Sequence, residues 1–135
     1  MHASAFHDAI SAIVHRDSRF DPDAYFFLKE ALDFTVKRAE ESNKGVSRHV
    51  SGPELLAGFR DFAIEQFGPM ALTLLREWGV NQCQHVGEMV FSLIGEQVFG
   101  KQDSDTLEDF SNIYQFEEVF VTPFLPQENA MIPKC

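Results

Sequence analysis

The sequence predicts a mainly α fold of about five helices followed by a small C-terminal β-strand pair, in the order of a winged-helix-like core. Three observations carry that prediction. Apolar residues recur at three- and four-residue spacing through five stretches between residues 4 and 98. Helix start and stop signals mark the ends of several of them. Residues 113–124 (IYQFEEVFVTPF) are aromatic and β-branched, with partial alternation at Tyr114, Phe116, Val119 and Val121, which reads as one or two strands.

Residues 4–15 fit a short amphipathic helix, with Ala5, Phe6, Ala9, Ile10, Ile13 and Val14 on one side and His7, Ser11 and His15 on the other. Asp21-Pro22 starts the second helix, Asp as N-cap and Pro at the first helical position. Over residues 22–42 its stripe is Tyr25, Leu28, Ala31, Leu32, Val36 and Ala39, widened by Phe27 and Phe34. An arc that broad predicts packing on two sides. Residues 42–48 are polar, contain a Gly and read as a loop.

Ser51 and Glu54 form a capping box, with Val50 and Leu55 at the positions of a hydrophobic staple. The helix that follows, to about residue 67, gathers Leu55, Leu56, Phe59, Phe62, Ala63 and Phe67. Gly68 ends it and Pro69 opens the next, which joins Met70, Ala71, Leu74, Leu75 and Trp78 and is closed by Gly79. Residues 84–98 make the fifth helix, with Val86, Met89, Val90, Leu93 and Ile94 inward. Gly87 and Gly95 flank Phe91 there and predict a close approach by another element. After Gly100 the chain turns acidic, with a capped turn expected at Asp105–Glu108. Pro123 and Pro126 then end regular structure. The organisation expected is one α-rich domain over residues 1–126 and a flexible tail over 127–135.

Composition narrows the function classes. Fourteen Phe supply large apolar area without a polar atom, as core residues do. The net charge is −10, and the segment 96–128 alone contributes −7. That balance opposes nucleic-acid binding, which depends on Lys and Arg neutralising phosphates. No apolar run approaches the ~20 residues that span a bilayer. The first residues lack the basic and long apolar regions of a signal peptide. Cys83 and Cys135 form no CxxC, so free thiols in a reducing cytoplasm are expected.

Several local motifs stand out as a set: Arg16-Asp17-Ser18-Arg19-Phe20, Ala24-Tyr25-Phe26-Phe27, His49-Val50-Ser51-Gly52-Pro53-Glu54-Leu55-Leu56, Phe67-Gly68-Pro69-Met70-Ala71, Glu77-Trp78-Gly79, Gly87-Glu88 with Val90-Phe91, and Asp109-Phe110. Over roughly residues 10–122 the chain resembles a small bacterial family of about this length, found mainly in planctomycetes and verrucomicrobia, whose function is uncharacterised. This chain carries His85-Val86 where related sequences tend to show Asp-Phe. The resemblance implies no activity.

Candidate sites come from the residues themselves. His7 and His15 are eight apart, about two turns or ~12 Å along a helix, too far to share a metal. No HxxxH or HExxH occurs. Arg48 and His49 precede the capped helix start at Ser51 and Gly52, so these four could bind an anion with side-chain donors and free backbone N–H groups. The acids Asp103, Asp105, Glu108 and Asp109 fail the EF-hand pattern and read as a solvated face. Cys83 precedes a helix with no basic neighbour in sequence and reads as an inert thiol. Arg16, Asp17, Arg19, Asp21 and Asp23 read as a salt-bridge and capping network.

No catalytic residue, metal ligand set or cofactor motif is identified. The function expected is a non-enzymatic cytoplasmic domain acting through protein contacts, with self-association as a homodimer. The alternative is an enzyme acting on a small anion, or a metal-dependent one, using His49, His85 and nearby carboxylates. Nucleic-acid binding through a winged helix comes third, against the charge.

Overall fold

The computed structural model describes residues 3–45, 50–100, 107–111 and 113–125. Five longer helices follow one another: α1 (Ala3–Arg16), α2 (Pro22–Ser42), α3 (Gly52–Phe67), α4 (Ala71–Glu77) and α5 (Cys83–Gly95). Short 3-10 turns occupy Gly68–Met70, Leu107–Phe110 and Thr122–Phe124, and a one-turn helix, α6, spans Phe116–Phe120.

The capping chemistry sets these boundaries. The Asp21 carboxylate accepts the Asp23 backbone N–H, with Pro22 at the first position of α2. At α3 the Ser51 hydroxyl accepts from Glu54 N at 3.2 Å, and the Glu54 carboxylate accepts from Ser51 N at 2.9 Å. Two backbone donors at the helix start are thereby satisfied. Gly79 closes the turn after α4 with φ +88°. A side chain there would also overlap the Arg19 carbonyl, so only glycine fits.

α3 lies at the centre. It packs along α2 and also meets α4, α5, α6 and the 107–110 turn. α1 crosses α2 and α5. The core draws Phe6, Ile10 and Ile13 from α1, Tyr25, Phe27 and Leu28 from α2, and Leu56 and Phe59 from α3. Leu75, Val86, Met89 and Leu93 join it from α4 and α5. Each such side chain contributes roughly 1.5–3 kcal/mol relative to exposure. Phe27 is an aromatic hub, its ring centroid 5.2–5.7 Å from those of Phe59, Phe62, Phe67 and Trp78. α2 and α3 approach closely because Gly58 faces the buried Thr35, whose hydroxyl donates to Ala31 O at 2.7 Å.

The C-terminal strand pair is not formed, and with it goes the wing of the winged-helix-like order. No strand occurs among the described residues, and residues 116–120 are helical instead. The reason lies in a four-residue spacing. Phe116 and Phe120 fall one helical turn apart, both are buried, and their rings meet edge-on at 5.1 Å. Glu117 and Glu118 fill the first turn, where the helix dipole favours acids. Two further expectations shift. Met70 is 59% exposed, because residues 68–70 adopt a 3-10 turn that rotates the face and brings Leu72 inward instead. Gly95 has open space around it, whereas Gly87 does receive a close neighbour.

That neighbour is Phe110. A Cβ on Gly87 would stand 2.5 Å from Phe110 Cβ, and one on Gly52 would stand 3.1 Å from the Phe110 ring. Phe91 closes the slot edge-on at 6.1 Å. The 107–110 turn is thus pinned across the start of α3 and the side of α5. The acids Asp103 and Asp105 and the tail 127–135 lie outside the described residues.

Candidate functional site

The start of α3 is the place where the sequence predicts an anion site. Ser51 is committed to the capping box, and the Glu54 carboxylate already brings negative charge to the free N–H groups. Gly52 is buried beneath Asp109 and Phe110. Arg48 and His49 lie outside the described residues. What is described of this site is therefore built into the fold.

His85 stands in the first turn of α5, after the N-cap Gln82. Its Nδ1 accepts the Asn81 backbone N–H at 3.0 Å, which puts the proton of the neutral ring on Nε2. Nε2 lies 3.3 Å from the Gln82 side-chain amide. Phe20 covers the ring at 5.3 Å. Burial lowers the His85 pKa below the ordinary imidazole value, Glu88 partly opposes this, and Arg19 adds a smaller lowering. Glu88, one turn along, is held by Arg19 at 2.8 Å and by the Gln84 amide at 3.3 Å. Its Oε1 is shielded from solvent, so the Arg19 charge, without a well-aligned hydrogen bond, is what stabilises it.

Arg19 also grips Asp17 at 2.9 Å, and this pairing holds the Asp17 carboxyl below the usual carboxylate range. Arg16 reaches Glu96 at 2.7 Å. The charge run expected to be a local network is therefore one, and it extends to α5, which spacing in sequence does not reveal. His85 and Glu88 do share a neighbourhood, but it is closed by Arg19 and Phe20. Among the described residues, no group of three or more His, Cys, Asp or Glu could hold a metal.

Cys83 is 2% exposed and donates to the Tyr114 carbonyl at 3.3 Å; burial pushes the thiol up, as an inert cysteine requires. Tyr114 in turn donates its hydroxyl to Leu56 O at 2.8 Å, and burial pushes that hydroxyl up as well. Both residues serve to tie the segment before α6 to α3 and α5.

An open groove of about 470 Å³ runs between α1 and the start of α2. Ile10, Val14, Pro22 and Phe26 form its apolar lining, and His7, Ser11 and His15 stand along its α1 edge. The helical wheel places those three polar residues outward, and all three are exposed. What it does not show is that Phe26, outside the inward stripe of α2, makes a wall beside them. Phe26 meets His7 at 4.7 Å and Phe6 edge-on at 5.6 Å. Phe6 is backed in turn by Phe99 at 6.4 Å. This groove joins apolar floor, polar edge and access from solvent, the combination that recognition needs.

No family model, curated protein or solved structure matches the chain. Among the described residues, no helix is long and apolar enough to cross a membrane.

Proposed function

We propose that the chain is a protein-interaction domain that receives apolar side chains of a partner in the α1–α2 groove, a second copy being the first partner to test. The observation that carries this reading is the apolar lining of Val14, Pro22 and Phe26, floored by the buried Ile10 and left open to solvent beside His7, Ser11 and His15. Aromatic and aliphatic floors with a polar rim are how interfaces gain affinity and register. A reducing, cytoplasmic setting belongs to the same reading and fits the buried free thiol of Cys83. Membership of the planctomycete and verrucomicrobial family is part of it too, carried by His49–Leu56, Phe67–Ala71 and Glu77–Gly79.

Val14 is only partly buried, so Val14→Asp changes the groove without emptying the core. Sedimentation of the wild type over a wide concentration range should show association that this variant loses. A photo-crosslinking residue at position 11, with position 65 on α3 as control, reports partners in cells. A strictly monomeric wild type together with no crosslink above the control would overturn the reading.

A further inference from the structure

We propose that His85 is an acid-sensitive latch on the elbow, residues 17–21, that joins α1 to α2. The elbow sits on the turn between α4 and α5. The Arg19 carbonyl lies against Gly79, and Asp21 N donates to Trp78 O at 3.0 Å. Phe20, 2% exposed, is held between Tyr25 at 6.4 Å and His85 at 5.3 Å. The same turn is shaped by His85, because Nδ1 takes the Asn81 N–H two residues beyond Gly79.

A proton on Nδ1 would set one donor against another, so the ring and the Asn81 amide cannot keep their places. The charged ring would also be partly buried, with charges of both signs around it. Arg19 approaches from the elbow, and the positive end of α5 lies beneath. The Asn81 amide faces it from the turn. Tyr25, from α2, stands behind Phe20. Glu88 is the nearby countercharge, and Arg19, itself paired with Asp17, already engages it. Acid therefore acts at one point: it removes the acceptor of the Asn81 N–H and so loosens the turn beside Phe20. The latch rests on these contacts and is independent of what the α1–α2 groove binds.

An NMR titration of the full chain from pH 7.5 to 4.5 tests it, following the His85 ring, the Asn81 amide and the Phe20 ring. All three should move with one midpoint. Asn81 amide exchange, corrected for its intrinsic pH dependence, should rise about tenfold on the acid side, the change that loss of one hydrogen bond produces. His85→Gln keeps an acceptor and cannot titrate, so it should abolish both effects. Asn81 and Phe20 signals that stay still while His85 titrates, or that move equally in His85→Gln, overturn the latch. Should His85→Gln not fold, the coincidence of the three wild-type midpoints decides alone.

Discussion

Gly58→Ala offers a direct test of the α2–α3 crossing, because two effects of opposite sign compete there. Alanine is the better helix former by about 1 kcal/mol, so an exposed site would be stabilised. At residue 58 the new Cβ falls on the Thr35 hydroxyl and lies 2.8 Å from Thr35 Cβ. Carbon atoms rest about 3.5–4.0 Å apart, so the helices must part by roughly 0.7 Å or more. Thr35 has no long side chain to swing aside, and its hydroxyl is bound to Ala31 O. Overpacking of this kind costs about 1–3 kcal/mol and outweighs the propensity gain. With the propensity gain of about 1 kcal/mol set against a cost at the upper end of that range, urea unfolding followed by far-UV circular dichroism should place Gly58→Ala about 1–2 kcal/mol below wild type. The exchange Thr35→Gly with Gly58→Ala, which moves the Cβ from one helix to the other, should recover part of that loss. A Gly58→Ala protein as stable as wild type, or a double variant no better than the single one, refutes the reasoning.

Phe110→Ala should lose about 3–5 kcal/mol, since it empties the slot between Gly52, Gly87 and Phe91; a loss under about 1 kcal/mol means the 107–110 turn is not anchored there. Ser51→Ala removes one half of the capping box and should cost about 1 kcal/mol by the same unfolding assay, with no effect counting against the box. The depressed His85 pKa gives a pH prediction of definite sign. The unfolded chain binds this proton near pH 6.5 and the folded chain only below it, so stability is full above 6.5 and falls as pH drops through the folded value. The urea midpoint should therefore fall between pH 7.5 and 5.5 by more in wild type than in His85→Gln, and equal falls contradict it. Iodoacetamide at pH 8 should leave Cys83 unmodified in the native protein and label it in urea; peptide mapping that finds rapid native labelling rules out the buried thiol.

The helical part of this fold is legible in the sequence where local chemistry settles it. Asp21-Pro22, the Ser51–Glu54 box, Gly68 and Gly79 each satisfy or end a helix within a few residues, and those boundaries fall where the residues put them, whereas Pro69 opens a 3-10 turn and α4 begins only at Ala71. The C-terminal segment defeats the same approach because its aromatic residues fit two periods. Tyr114 and Phe116 alternate as in a strand, whereas Phe116 and Phe120 share a helix face, and burial against α3 and α4 selects the second. The site residues divide likewise. The spacing of His7, Ser11 and His15 along α1 is readable, but the groove they border is made by Phe26, a residue of another helix. His85 acquires its role from Asn81 and from an elbow some sixty-five residues earlier in the chain. Gly87 signals a close approach without naming Phe110 as the partner.

The chain has one tryptophan, and its position gives the molecule a built-in optical reporter. Trp78 stands between the rings of Phe27 and Phe67, where α2, α3 and α4 converge, while its carbonyl secures the first turn of α2 through Asp21. Its emission therefore responds to the docking of three helices on one another, whereas circular dichroism counts helical turns wherever they are. A compact state that keeps its helices but loses this junction would shift the fluorescence and leave the dichroism nearly unchanged.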